Sequence, residues 1–94
     1  MYRQGDLLIV PVEKIPDDAR KADDTVLAFG EQTGHTHRLV GGEVMLTKDQ
    51  VYFTVAIPTP LEHDEHATLV IPPGDWKVVQ QREYYGERER PAYD

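Results

Sequence analysis

Four histidines are the residues of this chain best suited to chemistry, and they come as two tight pairs, His35/His37 and His63/His66. His35-Thr36-His37 has i, i+2 spacing, so on a strand both rings leave from one face. Leu39 is next on that face, while Thr36 and Arg38 occupy the other. The histidine face should therefore turn inward, where an unsatisfied polar group costs about 1–3 kcal/mol. His63-Asp64-Glu65-His66 has i, i+3 spacing, which converges on a helical turn or across a bulge. We read the two pairs as one site and expect a metal ion to join them, with His35, His37, His63 and His66 as ligands. Neutral imidazole suits Zn, Fe, Cu and Ni, and added carboxylates widen the choice to Mn. The expected cofactor is a divalent transition metal, Zn first, with Fe or Mn as alternatives. Three histidines and an open position would make a catalytic site, and four closed ones a structural site.

Each signal has a plainer reading. His-x-His is common, and His63-Asp64-Glu65-His66 taken alone is a polar turn. Without metal, the four rings would be an acid/base or ligand-binding cluster, or two unrelated pairs.

The rest of the composition narrows the chemistry. The chain has no Ser, Asn or Cys, which removes Ser and Cys nucleophiles. Acid/base work would fall to carboxylates, and Glu31 and Glu65 are the candidate catalytic bases. Gln80, Arg82 and Tyr84 continue the strand face of Trp76 and Val78, so Arg82 and Tyr84 are the candidate substrate contacts. Against this, the run from Arg82 to Arg90 alternates arginine with glutamate, the pattern of a solvated face. Seventeen acids against ten bases give a formal charge of -7. That argues against a nucleic-acid partner, which needs a basic stripe, and against an anionic membrane. The expected partner is a small-molecule ligand or another protein. Met1 to Asp6 lacks a basic n-region, and the apolar run Leu7 to Val12 is short, so we expect a cytoplasmic protein.

The elements that must position these residues read as strands. At 94 residues the chain is one domain, 1–94, whose core is modest because a domain of this size buries only about 65% of its unfolded surface. Asp6 to Val12, Thr25 to Glu31, His35 to Val40, Glu43 to Thr47, Gln50 to Ile57, Leu69 to Ile71 and Trp76 to Tyr85 are apolar or alternating runs. Gln50 to Ile57 alternates most regularly, with Val51, Phe53, Val55 and Ile57 on one face. Gly41-Gly42 predicts a hairpin turn, and Lys48-Asp49 a second. Pro16 to Arg20 predicts a single helical turn, Pro72 to Asp75 a type II turn, and residues 86–94 a loose tail. The sum is an all-β fold, a small barrel or sandwich of six to eight short strands. Short exposed strands would suit pairing with a second copy as a homodimer.

Two resemblances follow from these residues. Gly34-His35-Thr36-His37 with Glu43 resembles the first motif of the cupins, with Glu43 one residue beyond the usual spacing. Pro72-Pro73-Gly74 resembles the opening of the second cupin motif, but no histidine follows it. Over more of the chain, Gln4-Gly5-Asp6, Gly30-Glu31, Thr33-Gly34-His35 with His37, His63 with Glu65-His66, Pro73-Gly74-Asp75 and Gln81-Arg82-Glu83-Tyr84 resemble a group of short uncharacterised bacterial proteins. That resemblance implies that the histidine pairs and the Gln-Arg-Glu-Tyr segment belong to one design.

The leading expectation is thus a small metal-binding β-barrel with a four-histidine site, which would be a metal-dependent enzyme of hydrolytic or oxidative type. The alternative is a non-catalytic partner module with structural metal or none. A third reading, a metal-free histidine phosphodiesterase or nuclease, rests on His66-Ala67-Thr68 as half of a His-x-Thr repeat.

Overall fold

A computed structural model describes residues 1–29, 35–80, 82–85 and 88–91, with backbone alone for Phe29, 82–85 and 88–91. The described residues form twelve strands and no helix. They are β1 (Tyr2–Gln4), β2 (Leu7–Pro11), β3 (Arg20–Lys21), β4 (Val26–Phe29), β5 (Thr36–Leu39), β6 (Glu43–Leu46), β7 (Val51–Val55), β8 (Thr59–Glu62), β9 (Leu69–Ile71), β10 (Gly74–Gln80), β11 (Arg82–Tyr85) and β12 (Arg88–Pro91). Six of them build one antiparallel sheet in the order β1-β2-β10-β7-β6-β3. Four build a second, β4-β5-β8-β9, and β11 and β12 pair with each other.

The two larger sheets make a sandwich and not a closed barrel, which resolves the choice left open by the strand pattern. Leu7, Ile9, Val44, Phe53, Val55, Trp76 and Val78 contribute from the six-stranded sheet. Leu27, Ala28, Leu39, Leu61 and Ile71 contribute from the four-stranded one. Together they form one buried apolar cluster. The alternation predicted for β7 is present at Phe53 and Val55; Ile57 lies past the strand end and is exposed. Tyr2 packs edge-on to Trp76, ring centres 5.6 Å apart, closing the β1 end of the core.

Gly41-Gly42 is not the hairpin turn its composition suggested. β5 and β6 belong to different sheets, so the glycines carry the chain across the sandwich. Gly42 has φ +83, and a Cβ there would lie 2.6 Å from both Thr54 O and Val55 Cγ1. The crossover hugs β7 too closely for any side chain, and its backbone is left-handed. Gly42→Ala should therefore cost about 2 kcal/mol, read as a lower denaturant midpoint, whereas Gly41→Ala, which meets nothing within 4 Å, should be close to neutral.

Other expectations are met or corrected in turn. Lys48-Asp49 does join a true hairpin, β6 to β7, closed by Thr47 N–H donating to Gln50 O at 3.0 Å. Pro16 to Arg20 makes no helical turn; one hydrogen bond from Ala19 N–H to Pro16 O closes a turn, and Arg20 enters β3. Within the segment read as a tail, Arg88–Pro91 form β12 against β11. The strand count exceeds six to eight in part because two-residue and three-residue pieces such as β3 and β1 carry too little pattern to stand out.

Candidate functional site

The site sits at one end of the sandwich, and strand register builds it. β5 and β8 are antiparallel with Leu39 opposite Leu61 and Arg38 opposite Glu62. One step further along the same register puts His37 across from His63, just past the end of β8. Their ring centres are 4.4 Å apart. His63 in turn lies 4.7 Å from His66 and 5.8 Å from His35, and His37 and His66 are 6.4 Å apart. The two sequence pairs thus come together with His63 at the centre. On the other side of β5, a bulge between Val26 and Ala28 sets one extra residue of β4 opposite His37. Bulges of this kind re-aim side chains, and here Leu27 and Ala28 are both buried beside the cluster.

His37 is fully buried, as the face shared with Leu39 predicted. His35 precedes β5 and is one-third exposed, with Nδ1 3.4 Å from Glu65 Oε1 and Nε2 3.7 Å from Asp64 Oδ2. The acids between the second pair therefore face the first pair. Residues 64–66 bend without forming a helical turn, and Glu65 N–H donates to His63 Nδ1 at 3.0 Å. A neutral His63 accepting at Nδ1 carries its proton on Nε2.

Three polar residues complete the site that sequence reasoning left unassigned: Gln4, Asp6 and Gln80. Gln4 and Asp6 flank Gly5, whose φ of 60 makes the two-residue link between β1 and β2. Glycine with positive φ at the first central position is the type II′ requirement. Both flanking side chains are buried, Gln4 at 2% and Asp6 at 1% exposure. The Gln4 amide nitrogen donates to Leu61 O at 2.8 Å and Ala67 O at 3.0 Å. Its oxygen must then be the atom 2.8 Å from His37 Nδ1, so His37 holds its proton on Nδ1. The other ring nitrogen, Nε2, lies 3.3 Å from Asp6 Oδ1. Asp6 Oδ2 accepts from Gln80 Nε2 at 2.9 Å. The Gln-Gly-Asp turn was visible in the sequence, and Gln80 shares the face of Trp76 and Val78. Neither signal announces that the turn is buried under the second sheet.

Burial pushes the His37 imidazole down to about 4. The neighbouring His63 and His66 add to that shift, and Asp6 opposes it. At neutral pH His37 is therefore an uncharged ring whose Nε2 presents a lone pair. The buried Nε2 atoms of His37 and His66 have no hydrogen-bond partner among the described residues. A polar cavity of about 250 Å³ opens on His63 and is walled by Thr36, Arg38, Glu62, Asp64 and Thr68. Among the described residues, no group of three or more His, Asp or Glu side chains is already arranged around a common point to hold an ion. Glu31 lies outside the described residues, as do the side chains of Arg82 and Tyr84.

No curated protein matches the chain, and no solved structure does. Residues 3–81 match the model of a family described as a domain of unknown function (DUF8820), a span that holds both histidine pairs together with Gln4, Asp6 and Gln80. The chain belongs to that family.

Proposed function

We propose that this protein binds one divalent transition-metal ion in its histidine cluster. The observation that carries the reading is His37, a fully buried ring whose Nδ1–H is committed to Gln4 and whose Nε2 is left as a lone pair. That is the form in which histidine binds metal, with the far nitrogen held by a hydrogen-bond acceptor. Ring spacing supports it as well. With Zn–N near 2.1 Å, two imidazoles on a tetrahedral ion have centres about 5 Å apart. The separations of 4.4, 4.7 and 6.4 Å among His37, His63 and His66 straddle that value. Binding would draw these rings inward by rotation about their side-chain bonds. His63 would give up its bond from Glu65 N–H if it joined as a ligand. Zn is the first choice of ion, with Fe and Mn behind it.

The cavity favours a catalytic use over a sealed structural site, because it brings a small polar molecule up to His63, one wall of the cluster. The chemistry would be hydrolytic or oxidative, with the ion polarising substrate or bound water and Glu65 as the nearby base.

Elemental analysis of untagged protein beside the double variant His37→Ala/His63→Ala tests the reading. Near-stoichiometric metal in the wild type and none in a folded variant is the expected result. Wild-type protein that folds and takes up no added Zn, Mn or Fe would overturn it and leave a metal-free acid/base cluster or a non-catalytic partner module.

A further inference from the structure

The histidine cluster proposed above is all imidazole, yet His37 Nε2 faces a carboxylate. Asp6 Oδ1 faces His37 Nε2 at 3.3 Å, and both side chains are fully buried. Because Nδ1 is engaged with Gln4, Nε2 is the ring atom turned toward the carboxylate. A cation seated between the two atoms would bond to both. The distance has the right size: donors about 2.0–2.2 Å from a tetrahedral ion stand about 3.3–3.5 Å apart. Both donors are also held from behind. Gln4, anchored on two backbone carbonyls, fixes the His37 ring, and Gln80 donates to the other Asp6 oxygen. Supports of this kind orient metal ligands.

We propose that Asp6 is a metal ligand, so that the site is a mixed histidine–carboxylate centre founded on His37 Nε2 and Asp6 Oδ1, with His66 swinging in as the next donor. This rests on the metal-binding reading above and changes its chemistry. An added carboxylate hardens the site toward Zn, Fe(II) and Mn(II) and away from Cu(I). It also offsets one charge of the dication, which four neutral imidazoles would not do. His66 has a reason to join, because its buried Nε2 lacks a hydrogen-bond partner among the described residues.

Asp6→Asn is the informative variant. Asparagine keeps an oxygen for Gln80 and turns an amide N–H toward His37 Nε2, so the metal-free fold should hold. The same amide occupies the lone pair and removes the anionic ligand. Titration with ZnCl2 alone, followed by calorimetry, should show an affinity at least about 100-fold below wild type, above the 10–100-fold typical of losing only a supporting residue. Circular dichroism should be unchanged. Wild-type affinity in Asp6→Asn, with binding lost in His37→Ala, would overturn the carboxylate ligand and leave the histidine site standing. No Zn uptake by wild type would remove both. Should Asp6→Asn fail to fold, the wild type still decides: the Asp6 carboxyl 13C resonance must move on adding one equivalent of Zn. A resonance that stays in place overturns the proposal.

Discussion

Metal-free protein taken from pH 7 to about pH 4.5 should lose roughly 2 to 3 kcal/mol of stability through His37 alone. In the folded chain this ring titrates at about 4, chiefly because burial disfavours its charged form. In the unfolded chain it titrates near its ordinary value of 6.5. As pH falls, the unfolded state therefore takes up the proton first, and the balance moves toward unfolding. The contribution is fully present above about 6.5 and drains away as pH drops toward 4. Denaturant melts with a chelator present, at both pH values, measure it. His37→Gln removes the titrating group, so its stability should fall less over the same interval. Carboxylates elsewhere act on both proteins alike, and the difference between the two slopes isolates His37. Equal slopes would mean that His37 titrates alike in the folded and unfolded chain, and a smaller loss in wild type than in His37→Gln would mean that it is held as an imidazolium against Asp6.

What the sequence told about this site, and what it withheld, follows from the range of each interaction. The inward aim of His37 was legible because it needs only the two-residue period and Leu39 two places on. The buried face of β7 was legible for the same reason. That His37 would meet His63 was an inference from pairing alone. The contact depends on β5 and β8 being neighbours with Leu39 opposite Leu61, and no local pattern encodes strand order. Gly41-Gly42 shows the same limit. A glycine pair serves a hairpin or a crossover equally well, and which one forms depends on the sheets its flanking strands join. A sandwich and a barrel likewise demand the same alternation along each strand. Asp6 was the hardest to see. An acid after glycine in a tight turn reads as solvent-exposed, yet Asp6 is buried against His37 and Gln80, which come from distant parts of the chain.

Metal should act on this fold as strongly as acid does, and in the opposite direction. An ion that binds only the folded chain stabilises it by about 2.7 kcal/mol when present at 100 times its dissociation constant. In a domain of this size each kcal/mol moves the melting temperature by about 4–8 °C, so Zn should raise it by roughly 10–20 °C. The modest core makes the effect easy to see, and with no disulfide available the ion would be the main staple across this end of the sandwich. His37 ties β5 to β1 through Gln4, and Gln80 ties β10 to the β1–β2 turn through Asp6, so an ion between His37 and Asp6 would join both sheets. Scanning calorimetry with and without one equivalent of Zn beyond saturation measures the shift. His37→Gln should show almost none of it, while His35→Ala, at the exposed margin of the cluster, should keep most. A shift of equal size in wild type and His37→Gln would mean that the ion binds elsewhere on the acidic surface. A large shift lost in His35→Ala but kept in His37→Gln would move the centre to His35, Asp64 and Glu65.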